Sequence, residues 1–428
     1  MDNYQHSVVL DPKKCTGCTL CVKHCPTEAI RIRNGHAVIN SRRCIDCGEC
    51  IRICPHKAKR ASCSKLDAME PFKWKIALPA PTVYGQFDGL EDVDYVLQGL
   101  LDIGFDEVYE VAKAAELVSA YTRRYLSIEG IPHPVISSAC PVIIRLISLR
   151  FPSLIGNISP MLPPMEIAAA QAKEKALREH PELKPDQIGV CFISPCPAKV
   201  SYVNNGFGSH KSAVDVVVSI KDVYFKLIDV MRRHKAPNSL SQAGMIGISW
   251  AESGGESSAI FNDRYLAADG IENVIRVLDK IETGNFPSLE FIELNACPGG
   301  CVGGVMAVEN PFIAKARLQT LRRYLPVSQN FVTEESTNAI PDSFFYNDMP
   351  TYHPISKLSD NMGESMRMLA EIQALRDSLP GIDCGSCGAP NCRAFAEDVV
   401  KGEADPHNCI IKFKAEIQDY IKNKAETV

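Results

Sequence analysis

The chain has 428 residues, of which 46% are hydrophobic and 23% charged, and a net charge of -5. This length predicts two to four domains and at least one large core, and the weak charge favours neither a nucleic-acid nor a membrane partner. No apolar run approaches the roughly 20 residues of a spanning helix, and a secretory signal is not evident. We therefore expect a cytoplasmic protein whose 18 cysteines are metal or redox ligands and not structural disulfides.

A repeated cysteine pattern lies within residues 1–62. Cys15-x2-Cys18-x2-Cys21-x3-Cys25-Pro26 recurs as Cys44-x2-Cys47-x2-Cys50-x3-Cys54-Pro55. This is the spacing of bacterial ferredoxins, in which the fourth cysteine of each run ligates the other cluster. We predict a small α+β domain with one 4Fe-4S cluster on Cys15, Cys18, Cys21 and Cys54 and another on Cys25, Cys44, Cys47 and Cys50. Two zinc knuckles are the alternative, but zinc gives no reason for a crossed repeat with a proline after each fourth cysteine.

Three further cysteine loops lie within residues 63–330, where strand-like and helix-like runs alternate. The run 134–137 precedes Ala139-Cys140-Pro141, 188–193 precedes Pro195-Cys196-Pro197, and 291–294 precedes Cys297-Pro-Gly-Gly-Cys301. Open α/β sheets bind their ligands at the carboxyl ends of their strands. Four thiolates from three loops of one α/β domain therefore predict a buried cubane cluster.

The rest of the chain is predicted to form a linker with one helix, 331–380, and a small helical module, 381–428. Ser359 or Asp360 is expected to cap the helix 359–379. A further ligand set, Cys384-x2-Cys387-x4-Cys392-x16-Cys409, follows it. Zinc is an alternative metal here, because C-x2-C pairs serve both metals. The glycines and proline around the thiols, and the other clusters of the chain, favour 4Fe-4S.

The three central cysteine loops resemble, in order, the signature loops of FeFe hydrogenases. Ser137-Ser-Ala-Cys140-Pro141 resembles the first, Ser194-Pro-Cys196-Pro-Ala-Lys199 the second and Ala296-Cys-Pro-Gly-Gly-Cys301 the third. The resemblance implies an α/β domain that binds the H-cluster, a 4Fe-4S cubane joined to a diiron unit with CO and cyanide. It also implies that Cys140, Cys196, Cys297 and Cys301 hold the cubane, with Cys301 bridging to the diiron unit.

The same resemblance implies roles for residues around the diiron unit. Lys199 falls where the family places an ammonium against a cyanide, because three donors and a positive charge complement an anionic cofactor; a solvated lysine is the alternative. Pro81 and Thr82 match the loop that donates to the other cyanide, and Trp250 begins a glycine loop like the one beside the diiron unit. The C-terminal module resembles the small 4Fe-4S domain of corrinoid iron-sulfur proteins, which in hydrogenases is a feature of the sensory branch.

The chain departs from the family at positions that carry protons. Ala139 replaces the cysteine expected before the first-loop ligand, and Tyr202 replaces a relay glutamate. Losing a positioned proton donor typically costs about 10²–10⁴ in rate. Glu252 is a candidate for an alternative proton route, against the plainer interpretation of an exposed loop glutamate. The other departures are Tyr121 and Thr122 in place of an acidic pair, and Ser194 and Asn295 in place of methionines beside the bridging CO.

Three functions fit these motifs. The first is a sensory-type FeFe hydrogenase that activates H2 reversibly and slowly to protons and electrons, with three accessory 4Fe-4S clusters passing a redox signal to a separate signalling protein. The second is a metabolic hydrogenase that exchanges electrons with ferredoxin. The third is a hydrogenase-like iron-sulfur assembly protein without a diiron unit, in which Lys199 would have no cyanide to face. Either enzyme requires hydrogenase maturation proteins as partners.

Overall fold

The computed structural model describes residues 4–206, 209–332, 339–355 and 357–425, with side chains to residue 422. Its first module contains two antiparallel strand pairs, β1 with β4 and β2 with β3. Asn34 and Gly35, both with positive φ, close the second pair, as an Asn-Gly hairpin turn does. The elements are β1 (Val8–Leu10), α1 (Leu20–Lys23), β2 (Ile30–Arg33), β3 (His36–Ile39), α2 (Glu49–Arg52) and β4 (Lys59–Ala61).

Two separate parallel sheets form the central domain, with strand orders β6-β5-β8-β9 and β10-β11-β7. Every residue of β8 is buried, as is usual where helices cover both faces of a parallel sheet. The strands are β5 (Trp74–Pro79), β6 (Glu107–Val108), β7 (Val135–Ile136), β8 (Ile188–Ser194), β9 (Val216–Ser219), β10 (Tyr265–Asp269) and β11 (Phe291–Asn295). The helices are α3 (Asp94–Asp102), α4 (Val111–Leu126), α5 (Pro141–Arg150), α6 (Pro164–Glu179), α7 (Pro197–Asn205), α8 (Ile220–Met231), α9 (Met245–Ser249), α10 (Gly255–Ser258), α11 (Ile271–Glu282) and α12 (Pro311–Leu321).

The Cys-Pro pairs mark the points where strands pass into helices. Cys140 is the extended N-cap of α5 and Cys196 that of α7, and a proline occupies the first helical position in both. Proline is tolerated there because its missing N–H would have no partner inside the helix. A helix N-terminus also favours negative charge, which suits a cysteine that binds metal as the thiolate. The prediction that each cysteine loop follows a β-strand is confirmed.

The C-terminal part contains three helices, α13 (Met362–Asp377), α14 (Cys392–Val400) and α15 (Ile410–Ala425). The predicted cap of α13 is wrong: Asn361 accepts from the backbone N–H groups of Gly363 and Glu364, because the helix begins later than the sequence indicated. Of the predicted linker, residues 333–338 and 356 lie outside the described residues, whereas Phe344 and Tyr346 are buried against the central domain. Among the described helices, none is long and apolar enough to cross a membrane.

The C-terminal module packs directly on the N-terminal module. Asp398, only 4% exposed, accepts from Arg31 Nε and Arg33 Nη2, each at 2.7 Å. The backbone N–H of Ile32 donates to Gly388 O at 2.9 Å, and a Cβ on Gly388 would lie 2.5 Å from Ile32 O. Buried ion pairs and close backbone contact therefore fix the position of one cysteine module on the other.

Candidate functional site

A cavity at the carboxyl edges of the two parallel sheets contains all four thiols predicted to hold the cubane. The space that the centre of a water-sized sphere can reach measures about 100 Å³, and the cavity is lined by Cys140, Cys196, Cys297 and Cys301. Burial, together with repulsion from Cys140 and Cys297, raises the pKa of Cys301 to about 12. Cysteine binds metal as the thiolate, so four thiolates share this site only when cationic iron offsets their repulsion. The donor set fits an iron-sulfur cubane.

The loop between Cys297 and Cys301 packs without space for side chains. A Cβ on Gly300, whose φ is +93°, would lie 2.4 Å from Ser253 N, and one on Gly304 would lie 2.3 Å from Pro195 O. The third cysteine loop therefore touches both the glycine loop after Trp250 and the second cysteine loop through backbone atoms. Any larger residue at these glycines would displace Cys301 from the cavity.

Two polar groups in the cavity wall are suited to an anionic ligand. Lys199 is half-buried and its Nζ donates to Ala139 O at 2.8 Å; burial lowers the pKa of Lys199, and the neighbouring Cys196 and Cys301 oppose this. Thr82 is fully buried beside Pro81, and within the described residues its Oγ1 has no hydrogen-bond partner. An unpaired buried hydroxyl costs about 1–3 kcal/mol. A cyanide-bearing diiron unit, which offers anionic acceptors, fits this wall.

Of the other predicted site residues, some line the cavity and one does not. Ala139, Trp250 and Asn295 line the cavity, and Trp250 Nε1 donates to Ser119 Oγ at 2.9 Å. Ser194 is not among the described residues lining it; its Oγ accepts from Cys196 N at 3.1 Å. Ser194 therefore orients the second cysteine loop. Met165, which no sequence motif singled out, also lines the cavity.

Glu252 lies in the interior and not on an exposed loop. It is 4% exposed, and its Oε2 lies 3.9 Å from Lys315 Nζ and 3.8 Å from Arg322 Nη1. Burial raises the pKa of Glu252, while Arg322 and Lys315 lower it. Among the described residues that line the cavity Glu252 does not occur, so its role in proton transfer stays a prediction.

Two carboxylates of the cavity wall, Glu256 and Glu293, were missed in the sequence. Glu256 Oε2 accepts from Ser137 Oγ at 2.6 Å, and Glu293 accepts from Ser257 N at 2.9 Å and Gly254 N at 3.0 Å. Burial raises the pKa of both, and their mutual repulsion raises that of Glu256 further. The sequence did contain one signal. Glu293 stands inside the apolar run of β11, and an ionisable side chain is rarely buried without a partner.

Cysteines of both halves of the repeat come together in the N-terminal module. Cys25, Cys44, Cys47 and Cys50 line a second cavity, and Cys15 and Cys18 lie near Cys21. The crossed ligand assignment stays a prediction. Arg52 connects this module to the central cavity: its Nη1 donates to Glu49 at 2.5 Å and its Nη2 to Gly303 O at 3.0 Å. Burial raises the pKa of Cys297 to about 11, and the charge of Arg52 opposes this rise. One arginine thus spans the gap between a predicted accessory cluster and the cubane loop.

The C-terminal cysteines also come together around a small core. Cys387 lies near Cys384 and Cys409, and Cys387, Cys392 and Cys409 pack in one apolar group with Phe395. Cys384 is exposed and Cys409 is buried. The module therefore presents one edge of its predicted metal site to solvent.

A central cavity lined by four thiols, with a cysteine-rich module at each end of the chain, is typical of an iron-sulfur redox protein. The family described as iron only hydrogenase large subunit, C-terminal domain, matches residues 73–263 and 243–305, more than half of the chain. The chain belongs to the iron-only, or FeFe, hydrogenase family. Residues 7–55 match a 4Fe-4S dicluster domain and residues 379–411 a family described by its Fe-S cluster. These matches confirm the predicted family and fold class, and they support iron-sulfur clusters with an H-cluster.

Several individual proteins are similar to this chain. The periplasmic Fe hydrogenase large subunit of Nitratidesulfovibrio vulgaris is 27% identical over 389 residues, covering 74% of this chain and 90% of that protein. One subunit of an ion-translocating oxidoreductase complex from Thiobacillus denitrificans is 55% identical over 31 residues, 7% of this chain and 16% of that protein. A solved FeFe-hydrogenase of Chlamydomonas reinhardtii has 17% identity and a TM-score of 0.46, covering 65% of this chain and 90% of that one.

Proposed function

We propose that this chain is a sensory-type FeFe hydrogenase that activates H2 reversibly with slow turnover. Family membership supports H2 activation itself; the sensory type is our inference from Ala139. This residue lines the cavity beside Lys199, at the position where the family resemblance implies a proton-carrying thiol. A methyl group transfers no proton. The site therefore keeps the groups that hold the cofactor, but it lacks the thiol that would carry the first proton away.

The cavity residues divide into those that hold the cofactor and those that surround it. Cys140, Cys196, Cys297 and Cys301 would hold the cubane, while Lys199 and the Thr82 hydroxyl would donate to the cyanides. When bound, the H-cluster supplies the activation of H2 to protons and electrons. Phe192, Val111 and Ala115 form part of the apolar wall, which keeps bulk water from the reacting side of the site.

The route that remains for protons begins beside Ala139. Ser137 Oγ accepts from Ala139 N at 3.2 Å and donates to Glu256 Oε2 at 2.6 Å. Glu256 holds a proton readily because burial raises its pKa. Glu293 lies near enough to Glu256 for their repulsion to raise the pKa of Glu256, and it accepts from the N–H of the partly exposed Gly254. A route through a carboxylate that is buried and reluctant to ionise is consistent with slow exchange.

With the clusters bound, electrons would pass between the cubane and the accessory modules. Arg52, in the helix that carries Cys50, donates to Gly303 O of the third cysteine loop, which supports the cluster of Cys25, Cys44, Cys47 and Cys50 as the first acceptor. The C-terminal module follows, docked through Asp398. We propose that a ferredoxin or a separate signalling protein meets the exposed edge at Cys384, and that the whole chain works in the cytoplasm, where thiolate ligands stay reduced.

The test is to produce the chain together with the maturation enzymes and to measure its infrared spectrum and its H2 turnover. Bands of metal-bound CO and cyanide with slow H2 oxidation and production are expected. A rate equal to that of a vigorous metabolic hydrogenase would contradict the sensory assignment. A protein that binds iron and sulfide and never shows these bands would instead be the assembly protein without a diiron unit.

A further inference from the structure

A short segment of the predicted linker, residues 344–346, packs behind the wall of the candidate site. Phe345 pairs with Met161 in an antiparallel bridge, and Tyr346 N donates to Pro160 O at 2.9 Å. The segment lies beyond residue 305, where the match to the hydrogenase family ends. Its contacts with the site are therefore a feature of this chain to which the family match assigns no role.

One connection from this segment to the site runs through the first cysteine loop. Met161, which pairs with Phe345, accepts at its carbonyl oxygen from Ser138 Oγ at 2.5 Å. Ser138 directly precedes Ala139, whose carbonyl oxygen accepts from Lys199 Nζ at 2.8 Å. The linker segment is thus joined to the Lys199 ammonium by a short series of backbone and side-chain contacts.

A second connection to the same lysine runs through two tyrosines. Tyr202 OH donates to Tyr346 OH at 3.2 Å, and both residues are buried. Tyr202 follows Lys199 by three residues in α7, a spacing that places two side chains on one face of a helix. Lys199 Nζ lies 5.9 Å from the centre of the Tyr202 ring, within the limit of about 6 Å for attraction between a cation and an aromatic face.

The hydroxyl of Tyr346 supplies a contact that packing alone would not require. Its ring meets the ring of His210 nearly at a right angle, with centres 5.9 Å apart, and phenylalanine would keep that contact. A buried tyrosine hydroxyl usually finds a hydrogen-bond partner, and here the partner is Tyr202, beside the lysine of the cavity wall. The hydrogen bond therefore fixes the orientation of the Tyr202 ring against Lys199.

We propose that Tyr346 is a positioning residue of the H-cluster site, which acts through Tyr202 to hold the Lys199 ammonium at the cavity wall. Lysine carries its charge on a flexible four-carbon stem, so a fixed ammonium needs contacts on more than one side. Ala139 O supplies one contact and the Tyr202 ring supplies another. The inference depends on the H-cluster of the family and not on the sensory type.

The first test needs no diiron unit. Denaturant titrations of the full chain with its iron-sulfur clusters compare Tyr346→Phe, Lys199→Met and the double variant. Coupled residues give non-additive effects, so Tyr346→Phe should change the unfolding equilibrium constant about threefold less when Lys199 is already replaced. Tyr352→Phe, at an exposed tyrosine of the same linker, is the matched control and should be additive with Lys199→Met. Additive effects of Tyr346→Phe and Lys199→Met overturn the proposal.

The second test is the infrared spectrum of protein that carries the full H-cluster. Tyr346→Phe should shift a cyanide band and lower H2 turnover about tenfold, as loss of an outer contact to a cofactor-holding group does. Tyr202→Phe removes the same hydrogen bond and should give the same shift, whereas Tyr352→Phe should give none. A less stable Tyr346→Phe protein with unshifted bands has lost packing only, which refutes the positioning role. An original chain without any cyanide band refutes the hydrogenase function instead, and the first test then decides whether Tyr346 holds Lys199.

Discussion

Replacing Glu256 by Gln tests the proton route most directly. Glutamine preserves the size of the side chain and its contact with Ser137, but it exchanges no proton. Ser137 Oγ and Glu256 Oε2 are 2.6 Å apart, a distance at which proton transfer needs no intervening water. Removing a positioned proton carrier costs about 10²–10⁴ in rate. We expect at least a 10²-fold loss of H2 turnover, about 2.7 kcal/mol in the activation free energy.

The assay is H2 oxidation and production by protein carrying the full H-cluster, with infrared bands to show that each variant is loaded. Glu252→Gln is the informative comparison, because Glu252 lies in the loop just before α10 and is buried against Lys315 and Arg322. Glu272→Gln, whose side chain is 70% exposed, is the surface control. Turnover by Glu256→Gln within twofold of the original chain would refute the route, and a selective loss in Glu252→Gln would assign the role to Glu252.

Three further predictions concern buried polar groups. Thr82→Val should raise the stability of the cofactor-free chain by about 1 kcal/mol in denaturant titrations, because it removes an unpaired hydroxyl, and should shift a cyanide band of the loaded protein; an unchanged band would leave Thr82 without contact to cyanide. Asp398→Asn should weaken docking of the C-terminal module by about 3 kcal/mol, because it leaves buried arginines unpaired, and limited proteolysis should then release that module faster. The pKa of Glu256 is raised above its ordinary 4.5, so the folded state binds its proton more tightly; unfolding free energy should fall as pH rises from 4.5 through the raised pKa, and Glu256→Gln should flatten that slope.

Local chemistry explains why the cysteine sites were predictable. A cysteine that precedes a proline at a strand end specifies its own turn, N-cap and helix start, so Cys140 and Cys196 were placed from a few neighbouring residues. The crossed N-terminal assignment, which stays a prediction, depends on the repeat in the same way. In each case the ligand and the backbone geometry that directs it are encoded in the same short segment.

The carboxylates depend on contacts between distant segments and could not be predicted in this way. Glu256 follows a glycine loop and Glu293 lies in β11, and their coupling arises only when α10 packs on that strand. Glu252 illustrates the converse: its loop position suggested exposure, but α12 and the turn after it supply Lys315 and Arg322. The pairing of Arg31 with Asp398 had no sequence signal, because 367 residues separate them.

That separation has a consequence for biosynthesis. The surface of β2 that contacts Asp398 leaves the ribosome long before the C-terminal module that covers it, because the chain is made and its domains fold from the N-terminus. The first cysteine module is therefore open to iron and sulfide donors throughout translation of the central domain. Docking of the final helices then closes that side, so early delivery of metal to the N-terminal cysteines is built into the order of the chain.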